Sequence, residues 1–274
     1  MASIRIAWLL LAFLAFSGCA TVAPRERLRF EGLESAPRQF DGVLTLPAGK
    51  PAPVPVVMLV HGTAGVDSRY DFHRPSLLEA GVGTFEVDFK TGVFTSGATR
   101  PPMATFLPWV FGALKALRAD PHVDARRVAI MGFSLEGHLS VAVASRGVVT
   151  RWLGPDDPGF AAHVGFYPVC KALDVYFDGS EPTGAPILIL AGEKDSWGDG
   201  KSCPGFCNGL NAARSDVVAL NIYPGVHHGF NRRGSWTGYA PYAENQTATL
   251  RWNADAAHDS RERAVAFLRQ AFGL

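Results

Sequence analysis

Apolar runs rich in β-branched residues recur along this chain at positions 54–60, 83–88, 128–131, 164–167, 187–191 and 217–223. Most are continuous rather than alternating. That is how strands read when both faces of their sheet are covered. Helical segments are predicted between them. Residues 105–119 carry Phe106, Trp109, Val110, Ala113, Leu114 and Leu117 near helical spacing. Residues 135–145, 206–214 and 262–272 are the other predicted helices, the last with Val265, Leu268 and Phe272 on one stripe. Strands alternating with helices imply an α/β fold on a mostly parallel central sheet, with helices on both faces. In such sheets, sites form at the carboxyl ends of the strands. Reactive residues are therefore expected just after strands.

The N-terminus predicts export. Arg5 precedes an apolar run from Ile6 to Phe16, and Ser17-Gly18-Cys19-Ala20 follows. A short basic region, a short apolar stretch and small residues at a cut site make a secretory signal. The run is shorter than the ~20 apolar residues a membrane span needs. Phe16-Ser17-Gly18-Cys19 resembles the bacterial lipobox, which implies lipidation of Cys19, and Ala20 then implies outer-membrane sorting from the periplasm. The expected layout is a signal peptide at 1–18, a polar tether at 19–38 and one α/β domain at 39–274, a size within single-domain range. The near-neutral charge, +1 over 274 residues, argues against a nucleic-acid binder.

Export places the cysteines in an oxidising compartment. Beyond Cys19 the chain has Cys170, Cys203 and Cys207, so at most one internal pair forms. The expected bridge joins Cys170 to Cys203 or Cys207. Cys203 and Cys207 lack the second Cys/His pair that a zinc site requires, and no metal is assigned.

The central motif is Gly132-Phe133-Ser134-Leu135-Glu136-Gly137, directly after the run at 128–131. A sharp strand-to-helix turn at this place would lift the Ser134 hydroxyl above the sheet. The usual pattern is G-x-S-x-G, and here Glu136 holds its fifth position. A hydroxyl nucleophile needs a base, and the base an orienting acid. Asp195 follows the run at 187–191, and His227-His228 follows the run at 217–223. The order Ser, Asp, His matches a triad on this kind of sheet. Oxyanion donors are expected from the backbone N–H of Leu135 and of Thr63, the latter in His61-Gly62-Thr63-Ala64-Gly65 after the first run. His61 reads as a structural loop residue. Phe133, Trp197 and Trp236 are candidate pocket residues. The segment 231–259, with Trp236, Tyr239, Tyr242 and Trp252, shows no clear period and reads as a long loop or lid.

Over residues 40–274 these motifs resemble the dienelactone hydrolase branch of the α/β hydrolases. The marks are Val60-His61-Gly62-Thr63-Ala64-Gly65-Val66-Asp67, the stretch from Asp120-Pro121-His122 to Gly132-Phe133-Ser134, Gly192-Glu193-Lys194-Asp195, and Tyr223-Pro224-Gly225-Val226-His227-His228-Gly229-Phe230. The resemblance implies the α/β-hydrolase fold. It selects His228 as the base, because the family's histidine directly precedes Gly-Phe. Two departures stand out: Ser134 replaces the founding members' cysteine, and Gly62 stands where they carry a glutamate. The family's arginines hold a substrate carboxylate. Arg232 matches one, and Lys90 or Arg100 is the candidate for the other. The combined expectation is a serine hydrolase of a small-molecule ester or lactone, without a cofactor, membrane-associated only through the lipid on Cys19. The alternatives are a catalytically impaired binding lipoprotein, suggested by Glu136, and a peptidase or acyltransferase on the same fold.

Overall fold

The computed structural model describes residues 24–63, 65–89, 102–198, 200–214, 216–240 and 243–274. Its strands are β1 Arg25–Glu31, β2 Gln39–Thr45, β3 Val54–Val60, β4 Gly83–Val87, β5 Val123–Phe133, β6 His163–Phe166, β7 Ile187–Gly192, β8 Val218–Tyr223, β9 Ser235–Tyr239 and β10 Thr247–Arg251. Its helices are α1 Ser68–Glu79, α2 Leu107–Ala119, α3 Leu135–Ala142, α4 Arg146–Leu153, α5 Asp174–Phe177, α6 Cys203–Ala213 and α7 Ala254–Phe272. Strands β1 to β8 form one sheet in the order β1-β2-β4-β3-β5-β6-β7-β8. β1 and β2 pair antiparallel, β2 meets β4 antiparallel, and every later pairing is parallel.

Alternate residues of the central strands enter two different cores, which is why those strands read as unbroken apolar runs. Val56, Met58, Val60, Val128 and Ile130 pack with Val110, Phe111 and Leu114 of α2. Val57, Leu59, Ala129 and Met131 point the other way, to Tyr70 and Leu77 of α1 and to Ala264, Leu268 and Phe272 of α7. On the α2 side, Ile187 and Ile189 of β7 pack with Leu210 of α6. All six predicted strands form, and the four predicted helices form with shifted ends. β5 begins earlier than its apolar run, because its polar first half, Asp124 to Arg127, is only partly buried.

Three regions depart from the sequence expectation. The ordered sheet starts inside the stretch assigned to a tether: β1 pairs along its full length with β2. β1 buries little apart from Phe30, so no apolar run marks it. α1 was not predicted either. Its sequence is polar and contains Pro75, and only Arg69, Tyr70, His73 and Leu77 are buried. Asp67 caps it, its side chain accepting from the Arg69 N–H. The segment 231–259 is not an unstructured lid: β9 and β10 pair as an antiparallel hairpin, and α7 begins at Ala254.

The disulfide joins Cys170, after β6, to Cys203, at the start of α6 after β7. It ties two connections at the carboxyl edge of the sheet. Cys207 is buried and unbridged, and burial pushes its thiol up to about 12, which makes it a poor nucleophile.

Candidate active site

Ser134 stands between β5 and α3 with φ 61° and ψ −119°, a backbone state that L-residues seldom hold. Such strain costs about 1–3 kcal/mol and persists only where the surroundings enforce it. The Ser134 N–H donates to Phe166 O at 2.9 Å, and His138 N–H donates to Ser134 O at 2.9 Å. Two glycines make the tight turn possible. A Cβ on Gly132 would lie 1.9 Å from Glu136 O, and one on Gly137 would lie 2.4 Å from Phe166 O. The close strand–helix approach therefore falls on Gly132 and Gly137, and position 136 can carry a side chain. Glu136 does not point outward to solvent: it is 1% exposed. Its charge helps raise the already desolvated Tyr70 hydroxyl well above its ordinary pKa.

Three predicted residues meet here. His228 Nε2 lies 2.8 Å from Ser134 Oγ, and His228 Nδ1 lies 2.7 Å from Asp195 Oδ2. The other carboxylate oxygen, Asp195 Oδ1, accepts the Trp197 and Gly198 N–H groups at 2.9 and 2.7 Å. The acid is thus fixed on both oxygens. Asp195 and His228 are 4% and 3% exposed, which keeps water from competing for their hydrogen bonds. Gly229, with φ +65°, turns the chain after the histidine. His227, the other half of the pair, does not reach Ser134. Its pKa is lowered, first by partial burial and then by Arg251.

Ser134 and His228 open into a cleft of about 480 Å³ lined also by Thr63, Tyr167, Trp197, Arg232, Trp236 and Leu250. Thr63 sits in a tight turn closed by the Gly65 N–H bonding Gly62 O at 2.8 Å. Leu135 opens α3, so its N–H belongs to the helix N-terminus beside Ser134. His61 is structural, as expected. It accepts the Phe89 N–H at Nε2, which leaves Nδ1 to donate to Gly62 O. Phe133 does not line the cleft. It is fully buried, under the Arg69 guanidinium and against His73 and Phe166. Cys19, Lys90, Arg100 and Tyr242 lie outside the described residues.

The sequence reading named Arg232 but not the polar cluster on the cleft wall to which it belongs. Asp67 accepts from Arg69 Nε and Nη2 at 2.7 and 2.8 Å and from Arg232 Nε at 3.1 Å. It links the early loop to the histidine loop. Burial opposes the Asp67 charge, but the Arg69 hydrogen bond and charge outweigh it and hold the carboxyl below its ordinary range. Burial likewise opposes the Arg69 charge, and Tyr167 and Asp67 more than offset it. Arg69 Nη1 donates to Tyr167 Oη at 3.3 Å, and Tyr167 Oη donates to Asn231 Oδ1 at 2.5 Å. Burial pushes the Tyr167 hydroxyl up to about 12. Tyr167 directly follows β6, but the apolar run read from the sequence extends through it, so the rule that reactive groups stand just after strands did not single it out. Arg69 needed α1, which its sequence hides. The Arg69 guanidinium fills the space beside Gly62: a Cβ there would lie 2.9 Å from both Nη atoms.

An eight-stranded, mostly parallel sheet with helices on both faces, a strained serine after its central strand and a histidine after its last parallel strand define an α/β hydrolase. The dienelactone hydrolase family model matches residues 40–272, and the chain belongs to that family. Among solved structures, the chain is similar to a dienelactone hydrolase-like promiscuous phosphotriesterase, P91, from metagenomic libraries. The TM-score is 0.64 at 17% identity, covering 90% of this chain and 98% of that one. It is also similar to an esterase of Pyrobaculum calidifontis, with TM-score 0.63 at 15% identity over 91% and 86% of the two chains. The metagenomic carboxylesterase EstE1 gives 0.62 at 17% identity over 91% and 90%. At such identities these likenesses speak for the fold. No curated protein matches the chain in sequence.

Proposed function

We propose that this protein is an exported serine esterase that cleaves a carboxylic ester or lactone through an acyl-enzyme. The observation that carries the reading is the continuous hydrogen-bonded chain from Ser134 Oγ through His228 to Asp195. Ser134 Oγ attacks the carbonyl carbon as its proton passes to His228 Nε2. Asp195 holds the imidazole and stabilises the imidazolium. The N–H groups of Leu135 and Thr63 receive the oxyanion. The tetrahedral intermediate then collapses, and the leaving oxygen takes the proton from Nε2. Water attacks the acyl-enzyme while giving a proton to His228, the acid is released, and Ser134 regains its hydrogen.

The apolar N-terminal run and Cys19 support export with a lipid anchor. The Cys170–Cys203 bridge suits an oxidising compartment. Mass spectrometry of the mature N-terminus, with Cys19→Ala beside it, tests the anchor: the expected result is a diacylglyceryl modification lost in the variant. The esterase reading is tested with a short-chain chromogenic ester. Turnover that disappears in Ser134→Ala supports it, and full activity in that variant contradicts it.

A further inference from the structure

A row of rings runs outward from the base. The Trp197 indole lies 5.5 Å from the His228 imidazole, tilted by 38°, and Trp236 lies 6.0 Å from Trp197, tilted by 37°. Trp236 is 43% exposed at the cleft. Its place is built, not incidental. Gly238 is the next residue on the same face of β9, and a Cβ there would fall 2.6 Å from Trp236 Cζ2, so the glycine lets the indole lie along the strand. The hairpin is anchored to the base itself. The Arg251 N–H donates to His228 O at 3.1 Å, and Leu250 bridges to His228. On its inner side His228 meets Tyr167, edge to face at 4.6 Å and fully buried. The open side therefore belongs to the two indoles.

The chemistry gives that side a meaning. In acyl transfer from Ser134, the leaving oxygen collects its proton from His228 Nε2, so the alcohol portion departs beside the histidine. We propose that the alcohol portion of the substrate carries a flat aromatic ring that lies against Trp236 and Trp197. The substrates would then be aryl or arylmethyl esters, with specificity on the leaving-group side. The inference rests on the reading of Ser134 as nucleophile.

Benzyl acetate and cyclohexylmethyl acetate share the acyl group, the carbon count and a primary alkoxide leaving group. After correction for their rates with hydroxide, kcat/KM is expected to favour the benzyl ester by about three- to tenfold, the range of an aromatic pair. Trp236→Leu should bring that ratio close to one, and Trp236→Phe should keep most of it. Both esters are read on one preparation, so loss of folded protein cancels. Ethyl phenylacetate and ethyl cyclohexylacetate move the ring to the acyl side, and their ratio should not respond to Trp236→Leu. A benzyl preference that survives Trp236→Leu, or a response confined to the acyl pair, overturns the proposal. A second arm needs no turnover. In Ser134→Ala, benzyl alcohol should quench tryptophan fluorescence more strongly than cyclohexylmethanol, and Trp236→Leu should remove the difference. Intact benzyl alcohol binding without hydrolysis of any ester supports the platform and contradicts the esterase reading. Hydrolysis without aromatic preference contradicts the platform alone.

Discussion

Ser134, Asp195 and His228 stand on loops leaving parallel strands of the main sheet, whereas Trp236 and Leu250 stand on a hairpin appended beside it. The first group is held from below. β5, β7 and β8 are paired on both sides or on a long edge, and their ends sit in packed cores. The second group is held at its base, through His228 and Phe230, and its strands are mostly exposed. The contrast suggests a division of labour. The sheet edge fixes the reacting atoms and the hairpin shapes what lies next to them. Substitutions at the edge should destroy activity, and substitutions on the hairpin should redirect it.

The largest effect is expected at the nucleophile. Ser134→Ala should lower kcat on a chromogenic ester by about 10⁴–10⁶-fold without lowering the unfolding midpoint, because Ala at φ 61° keeps the same backbone. Asp195→Asn should cost about 10⁴-fold in kcat, because an amide at this place selects the wrong imidazole tautomer. A fall of tenfold or less would mean that the Trp197 and Gly198 N–H groups, not the Asp195–His228 pair, are what the carboxylate serves.

Acid should weaken the core under the edge before it alters the hairpin. His73 and His163 are desolvated by burial, to about 3 and about 4 against an ordinary 6.5. The unfolded chain binds these protons first. Stability is therefore full above about pH 6.5 and is lost as pH falls toward the folded values. Between pH 6.5 and 5 the pair should lose about 3 kcal/mol of unfolding free energy, measurable by urea titration at each pH. Reduction of Cys170–Cys203, which closes a separation of 33 residues, should cost about 3–4 kcal/mol by the loop-entropy argument. A Cys170→Ala midpoint compared with wild type under oxidising conditions measures it. The smallest effect belongs to the hairpin: Gly238→Val should displace the Trp236 indole and change kcat/KM for aromatic esters by no more than about tenfold.

The same contrast explains what could be read from the chain. Each edge residue follows a continuous apolar run, so strand position, chain order and the Gly-flanked turns located Ser134, Asp195 and His228 together. Thr63 followed from the same rule. Glu136 looked like an obstruction because the sequence could not say that Gly137 makes the close contact. The hairpin left almost no trace. Ser235–Tyr239 and Thr247–Arg251 have few buried side chains and therefore no clear period. β1 and α1 escaped for a related reason, since each buries only a few side chains. Without α1, Arg69 could not be placed beside Gly62, and the ion pair of Asp67 with Arg232 joins loops far apart in sequence.

Whether the strained serine is chemically armed is most directly measured with a fluorophosphonate probe, followed by peptide mass spectrometry. The expected result is one adduct, on Ser134, lost in Ser134→Ala and strongly slowed in His228→Ala. An unlabelled wild-type protein, or an adduct on another residue, would contradict the assignment of Ser134 as the nucleophile.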